Sequence, residues 1–528
     1  MTDIEIPYKQ DRNWQYRFWE IFPGATSWTI LIAPFILAFV APTFLAFLII
    51  AYLLIWFFKG MALSIRVLQG WHGMQVHMKL NWTVMLDDLE ANKLTHPQMQ
   101  QPKWHTRNIA RLAEYPKYCA PTEVYHALIV TLYNEPRDVL EPTIHAIMAS
   151  KYDLKKVILI VAYEKRTGPD IEHLAKEMIR LYGKKFYHAE AVGHEVLEGE
   201  VRGKGGNITW SGRWLKTFVE KRKIDPSRVV VTTLDTDNRP HAWYLAALTY
   251  TYCSTEDTRH VSYQPIPMFL NNIWDAPSPM RVIAAGNSMW NLMLSNRPQA
   301  LRNFSSHAQG LHALIDTDFW SVRTIVEDGH QFWRSYFRYD GRHEVYPIFL
   351  PIYQDAVLAA TYRRTLRVQF IQIRRWAWGA SDIAYVATKG FRKGSKVPRI
   401  DMIAKFWRLV EGHISWATAA LLISFAPLLP ILLRNKNFVA NQLPHIASNI
   451  ETIALIGIFV SLFVTLKSLP PKPERYKRHR SILMVVQWVL LPVTTIVYQT
   501  LAGLNSQTRL MLGKYLDNFD VTEKVVKK

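Results

Sequence analysis

Residues 228–238 read RVVVTTLDTDN, and this segment is the strongest indication of the fold. The run of β-branched and apolar residues from Arg228 to Leu234 is typical of a strand that is buried on both faces. Two carboxylates, Asp235 and Asp237, follow where the strand ends. Because ligands of parallel α/β sheets bind beyond the carboxyl ends of the strands, the segment predicts a parallel sheet with a site at that edge.

Two earlier segments repeat the strand pattern. Residues 126–133 (HALIVTLY) and 156–163 (KVILIVAY) are apolar runs of strand length. After the first run, Asn134 can cap a helix in which Pro136 takes the first turn, and a second helix is expected after Pro169. Strands that alternate with helices from about residue 122 predict an α/β domain with a parallel sheet.

Long apolar segments flank this domain, and the first lies near the N-terminus. Ala25 to Phe57 contains 33 residues without a charge, interrupted by Pro34 and Pro42. One membrane span needs about 20 residues and two need about 40, so the length alone is ambiguous. Because both flanks are basic, we expect a helical hairpin with both ends inside. Met61 to Met85 mixes apolar and basic residues, which predicts a helix on the membrane surface or one packed on the soluble domain.

Three further candidate spans follow the domain. They are His413 to Leu433, the shorter Thr452 to Leu466, and Ser481 to Leu504, which is broken at Pro492. The basic cluster 471–480 indicates a cytoplasmic loop, and the last segment either crosses fully or turns back. We therefore divide the chain into a tail and transmembrane hairpin (1–60), an interfacial helix and linker (61–121), the α/β domain (122–395), a second interfacial helix (396–410), C-terminal transmembrane segments (411–505) and a basic cytoplasmic tail (506–528).

The net charge of +20 does not indicate a nucleic-acid partner. Much of the excess Lys and Arg lies beside the apolar segments, as the positive-inside bias and attraction to anionic lipid require. The two cysteines, Cys119 and Cys253, are far apart in the sequence and form no CxxC pair. We interpret them as buried thiols in a reducing compartment rather than as a zinc site or a disulfide.

Three short motifs carry residues suited to chemistry. Asp235 and Asp237 can hold one hard cation, Mg²⁺ or Mn²⁺, together with diphosphate oxygens, although such a pair is also common in solvated turns and helix caps. Glu327-Asp328 can supply the carboxylate that a sugar hydroxyl needs for deprotonation, although a helix start explains the pair equally well. The third motif, QIRRW at 372–376, places an amide, a guanidinium and an indole on one helical face, or simply a core tryptophan in a basic helix.

The order DxD, ED and QxxRW, between membrane segments, resembles the processive family 2 glycosyltransferases, which include cellulose, chitin and hyaluronan synthases. The resemblance extends over residues 122–392 by motif. It implies a cytoplasmic nucleotide-diphospho-sugar transferase domain of glycosyltransferase A type, inserted between α-helical transmembrane segments. It also implies an inverting enzyme of the cell membrane that polymerises a β-linked polysaccharide on the cytoplasmic face and translocates it.

The resemblance assigns roles to individual residues. Asp328 would be the general base beside Glu327, while Asp235 and Asp237 would hold the metal. The residues implied in donor and nucleotide binding are Thr131, Tyr133, Glu135, Glu164, Lys204, Asn207, Asp235 and Arg375, and those implied at the acceptor end are Gln372 and Trp376. Three segments depart from the family pattern: the first acid, for which Glu164 substitutes; Val326, where the family has threonine; and the acceptor loop at 305–310.

The expected partners are a UDP- or GDP-sugar donor, the growing polysaccharide, the lipid bilayer and envelope export proteins. Two alternatives remain open at this point. One is the transfer of a single sugar to a lipid or polyprenyl acceptor, and the other is a non-catalytic membrane scaffold or transporter. The identity of the sugar does not follow from the sequence, because the residues that would read its hydroxyls are not aligned.

Overall fold

A computed structural model describes residues 4–112, 114–433, 436–517 and 522–525. Its described part contains an eight-stranded sheet, with long apolar helices before and after it in the chain. The strands are β1 Tyr125–Leu132, β2 Val157–Glu164, β3 His188–His194, β4 Val229–Asp235, β5 Arg239–Pro240, β6 Val261–Met268, β7 Ala308–Gly310 and β8 Glu344–Tyr353.

The helices fall into three groups along the chain. Those before the sheet are α1 Trp14–Val40, α2 Pro42–Lys79, α3 Trp82–Ala91 and α4 Lys103–Arg111. Those within the α/β domain are α5 Arg137–Met148, α6 Pro169–Tyr182, α7 Lys204–Lys221, α8 Tyr244–Cys253, α9 Ser278–Ser295, α10 Leu311–Asp316, α11 Glu327–Arg338, α12 Tyr362–Ala377 and α13 Asp382–Gly390. Those after it are α14 Arg399–Phe425, α15 Leu429–Leu432, α16 Phe438–Asn441, α17 Leu443–Ala454, α18 Ile456–Ser468, α19 His479–Val486, α20 Leu491–Thr494 and α21 Leu501–Met511.

The sheet is mixed, whereas the sequence predicted a parallel one. Its strand order is β3-β2-β1-β4-β7-β6-β8-β5. β1 pairs in parallel with β2 and β4, and β6 pairs in parallel with β8, but β7 and β5 run antiparallel to their neighbours. Because these two strands have only three and two residues, they leave no periodic pattern in the sequence. The three strands predicted from apolar runs are present as β1, β2 and β4.

Both faces of the sheet are covered, as the continuous apolar runs predicted. Side chains alternate along β1: Leu128 and Val130 join the core with α5, α6 and α8, while Ala127 and Ile129 join the core with α7 and α10. This two-residue period requires apolar residues at every position of a strand between two helical layers. The helix after β1 begins two residues later than predicted, with Pro136 rather than Asn134 as the N-cap of α5.

Within the described residues, five helical stretches are long and apolar enough to cross a membrane: Trp14–Val40, Pro42–Lys79, Arg399–Leu432, Phe438–Ser468 and His479–Met511. Residues 61–79 form no separate surface helix but continue α2, since no proline interrupts the chain between Pro42 and Lys79. Likewise the helix predicted at 396–410 and the following span are the single helix α14.

The two cysteines are close in space despite their separation in sequence. The Cys119 Sγ and Cys253 Sγ atoms lie 3.5 Å apart, and both thiols are buried and free. The prediction of buried thiols is confirmed, because the fold brings the end of α8 against the segment before β1.

Candidate functional site

The predicted site residues meet at the carboxyl edge of the sheet, where β4 ends in a tight turn. The Asn238 N–H donates to the Asp235 carbonyl (2.9 Å), and the Asn238 side chain accepts from the Asp235 N–H. The Thr236 hydroxyl donates to the Thr131 carbonyl at the end of β1. These hydrogen bonds join the turn to β1 and β4, which holds the carboxylates of Asp235 and Asp237 in place.

Lys204 neutralises the first of these carboxylates. It is the first residue of α7, and its Nζ lies 2.7 Å from Asp235 Oδ1 and 3.0 Å from the carbonyl oxygen of Ser305. Burial opposes the charge of Lys204, but Asp235 and Glu327 outweigh it and raise the pKa of the ammonium. Burial also opposes the charge of Asp235, and Lys204 and Lys524 outweigh it, so the pKa of this carboxyl is lowered. Both groups are ionised at neutral pH.

The second carboxylate, Asp237, is bound by groups that the sequence did not reveal. Its Oδ2 accepts from the backbone N–H of Asp355 (2.9 Å), just beyond β8, and its Oδ1 lies 2.7 Å from Lys524 Nζ. Burial and the neighbouring Asp237 raise the pKa of Asp355, and its Oδ1 is buried without a hydrogen-bond partner. An acidic residue after the apolar run of β8 was a usable signal for Asp355, whereas nothing local distinguishes Lys524 from other basic residues of the tail.

Residues 522–525 lie across the site. Lys524 forms a β-bridge with Leu358, and the Val525 N–H donates to the Leu358 carbonyl (3.1 Å). Glu523 accepts from the Ala360 N–H (3.1 Å). We call this segment the C-terminal strap. The sequence predicted it only as part of a basic cytoplasmic tail.

The acid pair lies at the start of α11, as the alternative interpretation of a helix start also predicted. Glu327 is 3% exposed, whereas Asp328 is only partly buried. Burial and the neighbouring Asp328 raise the pKa of Glu327. Burial also raises the pKa of Asp328, opposed by Lys204 and Arg375, so these two cations lie within electrostatic range of it. The buried Glu327 carries the stronger tendency to stay protonated, which leaves Asp328 as the more accessible carboxylate.

The QxxRW residues share one side of α12, as their spacing predicted. The side chain of Gln372 donates to the hydroxyl of Thr522 in the C-terminal strap (3.3 Å) and accepts from Gln369 (3.2 Å). The positive charge of Arg375 opposes the rise in the pKa of Asp328. The Trp376 ring is partly exposed and lies 6.1 Å from the Phe269 ring, next to the end of β6. The motif thus borders both the acid pair and the helical region.

The residues assigned to the nucleotide lie at the ends of β1 and β2. Glu135 accepts from the Tyr133 N–H (2.9 Å) and the Asn134 N–H (3.1 Å), so its carboxylate shapes the loop. Glu164 pairs with Arg166, whose guanidinium lies 4.8 Å from the Tyr133 ring centre. Sequence reasoning missed Arg166.

Two further predicted donor residues serve the frame of this edge. Asn207 donates to the Ala162 carbonyl (2.9 Å), and the Thr131 hydroxyl donates to the Leu234 carbonyl (3.3 Å). Both hydrogen bonds join adjoining elements at the carboxyl ends of β1, β2 and β4. Their observed role is therefore to support the loops that surround the site.

The residues fit a divalent cation held jointly with a ligand. Among the described residues, no three His, Cys, Asp or Glu side chains form a metal-binding group. Asp235 and Asp237 offer hard oxygen ligands, and Asp237 already accepts the ammonium of Lys524 where a cation would bind. Mg²⁺ is commonly bound by one or two carboxylates plus substrate phosphates, so a phosphate-bearing ligand would complete the coordination.

The sequence matches no protein-family model and no curated protein. Similar solved structures include the mannosyltransferase PcManGT from Pyrobaculum calidifontis in complex with GDP-Man and Mn²⁺, with 14% identity, a TM-score of 0.41, and coverage of 83% of this chain and 100% of that one. S. aureus TarS 1–349 has 8% identity, a TM-score of 0.35, and coverage of 74% of this chain and 93% of its own. Its complex with UDP-GlcNAc has 9% identity and a TM-score of 0.33, with the same coverage.

Proposed function

We propose that the chain is a membrane-embedded inverting glycosyltransferase that uses a nucleotide-sugar donor. The observation that carries this proposal is the convergence at one sheet edge of the Asp235–Asp237 turn, the Glu327–Asp328 pair and the cations Lys204 and Arg375. A paired carboxylate turn suits a cation with a diphosphate, and a separate, partly exposed carboxylate suits a general base.

Each group has a defined task in the transfer. Asp235 and Asp237 would hold a divalent cation, which would supply positive charge for the departing diphosphate, and Arg375 would add to this charge. Asp328 accepts the proton of the acceptor hydroxyl, whose oxygen forms a bond to C1 while the bond from C1 to the phosphate oxygen breaks. Attack opposite the leaving group inverts the configuration, so an α-linked donor yields a β-linked product.

The protonation of the acid pair supports this division of roles. Burial and the neighbouring Asp328 raise the pKa of Glu327 to about 8, so this carboxyl holds a proton near neutral pH. Glu327 is the more buried member, so the proton resides there and Asp328 remains available as the base. At low pH Asp328 is protonated too, and transfer is expected to stop.

The helical part supports the finer proposal that the product is a polysaccharide moved across the membrane. Trp376 borders the helical region, where its ring can stack on an acceptor sugar. A polar polymer cannot cross lipid unassisted, so coupling synthesis to passage between the apolar helices avoids that cost. Transfer of one sugar to a lipid or polyprenyl acceptor is the second candidate, since the same apolar helices would bring such an acceptor to the site.

The test is donor turnover by the purified protein in lipid nanodiscs. We would supply UDP- and GDP-sugars with Mg²⁺ or Mn²⁺ and compare the protein with Asp328→Asn. The expected result is metal-dependent nucleotide release from one donor, reduced by about 10²- to 10⁴-fold in the variant. Asp170→Asn, an exposed acid in the first turn of α6, is the matched control and should retain activity. A polymer in the product supports processivity, while equal turnover by Asp328→Asn contradicts the assignment of the base.

A further inference from the structure

The chain before α1 packs into the α/β domain. We call residues 4–11 the N-terminal strap. The Tyr385 hydroxyl donates to the carbonyl of Ile4 (2.6 Å), and Arg323 donates to the carbonyl of Ile6 (2.8 Å). The Arg323 guanidinium also lies 3.5 Å from the centre of the Tyr8 ring. The strap is therefore held along its length by side chains of the domain.

Glu5 contacts the domain through both oxygens of its carboxylate. One carboxylate oxygen accepts from the Ser321 hydroxyl and from the Ile6 N–H (3.0 Å). The other pairs with the guanidinium of Arg334, whose side chain is only 2% exposed. A second nitrogen of Arg334 donates to the carbonyl of Thr317. Glu5 thus bonds two separate points of the chain that flank the start of α11.

These two points determine where the acid pair lies. Ser321 precedes Glu327 by six residues in the loop that leads into α11, and Arg334 follows it by seven, on the same face of the helix. The Ser321 carbonyl is also tight against α7, because a Cβ added to Gly205 would be 2.4 Å from it. Gly205 adjoins Lys204, so the same loop contacts the element that carries the lysine of the site.

We propose that Glu5 is a positioning residue for the Glu327–Asp328 pair, a role that rests on the proposed function of that pair. The first N–H groups of a helix have no partner within the helix, and burying the Glu327 carboxyl there works against its order. By joining the loop before α11 to the second turn of this helix, Glu5 keeps the start of α11 closed against α7. Glu327 thereby stays buried, and Asp328 stays directed to the site.

The experiment compares Glu5→Gln with Glu177→Gln. Glu177 on α6 is a matched control: its side chain is 24% exposed, against 19% for Glu5, and it pairs with Arg137 (3.0 Å). The helices α5 and α6 pack in a different hydrophobic core from α11. Hydrogen exchange of residues 321–331 is measured without substrate. With the best donor, kcat, donor KM and the pH dependence of kcat are then measured.

For Glu5→Gln we expect at least 10-fold faster exchange over 321–331, at least a 10-fold lower kcat and a donor KM within about 2-fold. Burial is the main cause of the raised pKa of both Glu327 and Asp328, so opening α11 should lower these pKa values and move the acid limb of kcat to lower pH. Glu5→Asp should restore part of kcat. Effects equal to those of Glu177→Gln in exchange, kcat and the acid limb would overturn the inference. Asp328→Asn then separates a failure of this inference from a failure of the proposed function. If Asp328→Asn is inactive, only the role of Glu5 has failed; if it is active, the proposed function has failed.

Discussion

Lys524 of the C-terminal strap lies where the proposed divalent cation would contact Asp237, so its removal should strengthen metal binding. Its ammonium lies 2.7 Å from Asp237 Oδ1, and both side chains are largely buried, at 16% and 7% exposure. Burial opposes the charge of Lys524, but Asp237, Glu135 and Asp235 outweigh it and raise its pKa, so the ammonium is present at neutral pH. A divalent cation at Asp237 must displace it.

The size of the effect follows from the contact that is lost. A hydrogen bond to a charged group contributes about 1.5–3 kcal/mol, which corresponds to about 10- to 150-fold in an equilibrium constant. If the metal-binding state is reached only after Lys524 leaves, its apparent affinity is reduced by this factor. We therefore expect Lys524→Met to tighten apparent Mn²⁺ binding by about 10- to 150-fold.

The assay is titration of the protein with Mn²⁺, followed by the paramagnetic signal of the free ion, without a nucleotide. Lys524→Arg keeps the positive charge and should bind Mn²⁺ as weakly as the unchanged protein. Lys514→Met, a lysine just after α21, serves as a second control. Unchanged or weaker Mn²⁺ binding in Lys524→Met would show that the ammonium of Lys524 does not compete with Mn²⁺ for Asp237.

Two further predictions concern stability. Gly205→Ala would place a Cβ 2.4 Å from the carbonyl oxygen of Ser321, so we expect the free energy of unfolding to fall by about 1–3 kcal/mol. Gly286 is a helical glycine where an added Cβ would meet open space, so Gly286→Ala should stabilise the protein slightly. Thermal unfolding of both variants checks these expectations. His126 is fully buried, its imidazole hydrogen-bonded to the Thr249 hydroxyl (2.7 Å), and burial lowers its pKa to about 3. In the unfolded chain this imidazole binds a proton near pH 6.5, but in the folded chain it does not, so stability should fall as the pH decreases below 6.5, by about 2.7 kcal/mol at pH 4.5. His126→Gln should remove this part of the pH dependence of stability, measured by thermal unfolding across the pH range. An unaltered pH dependence in the variant would contradict the prediction.

Local patterns predicted the elements that carry the site. The apolar runs of β1, β2 and β4 were identified because strands between two helical layers are apolar at every position. The i, i+3 and i+4 spacing of Gln372, Arg375 and Trp376 placed them on one helix because the helical period is local. The lengths of the apolar segments, with the basic flanks of the first one, predicted a hairpin and three further candidate spans, and the described residues contain five helical stretches long and apolar enough to cross a membrane.

Long-range contacts were not predictable in this way. Lys524 meets Asp237 across 287 positions of sequence, and Glu5 meets Arg334 across 329. The residues around each member of these pairs give no indication of its partner, because a basic tail and an acidic residue near the N-terminus are common in proteins. The two short antiparallel strands were missed for a related reason, since their pairing depends on partners rather than on a pattern of their own.

Local sequence patterns were sufficient to predict an α/β domain flanked by apolar helices and the motif residues Asp235, Asp237 and Asp328, because periodicity, segment length and strand ends are local properties. Only the folded chain shows which charges neutralise one another: Lys204 with Asp235, Lys524 with Asp237 and Glu5 with Arg334. The fold also determines which member of the acid pair is buried. Burial and charge neighbours set protonation, and both depend on how distant parts of the chain pack.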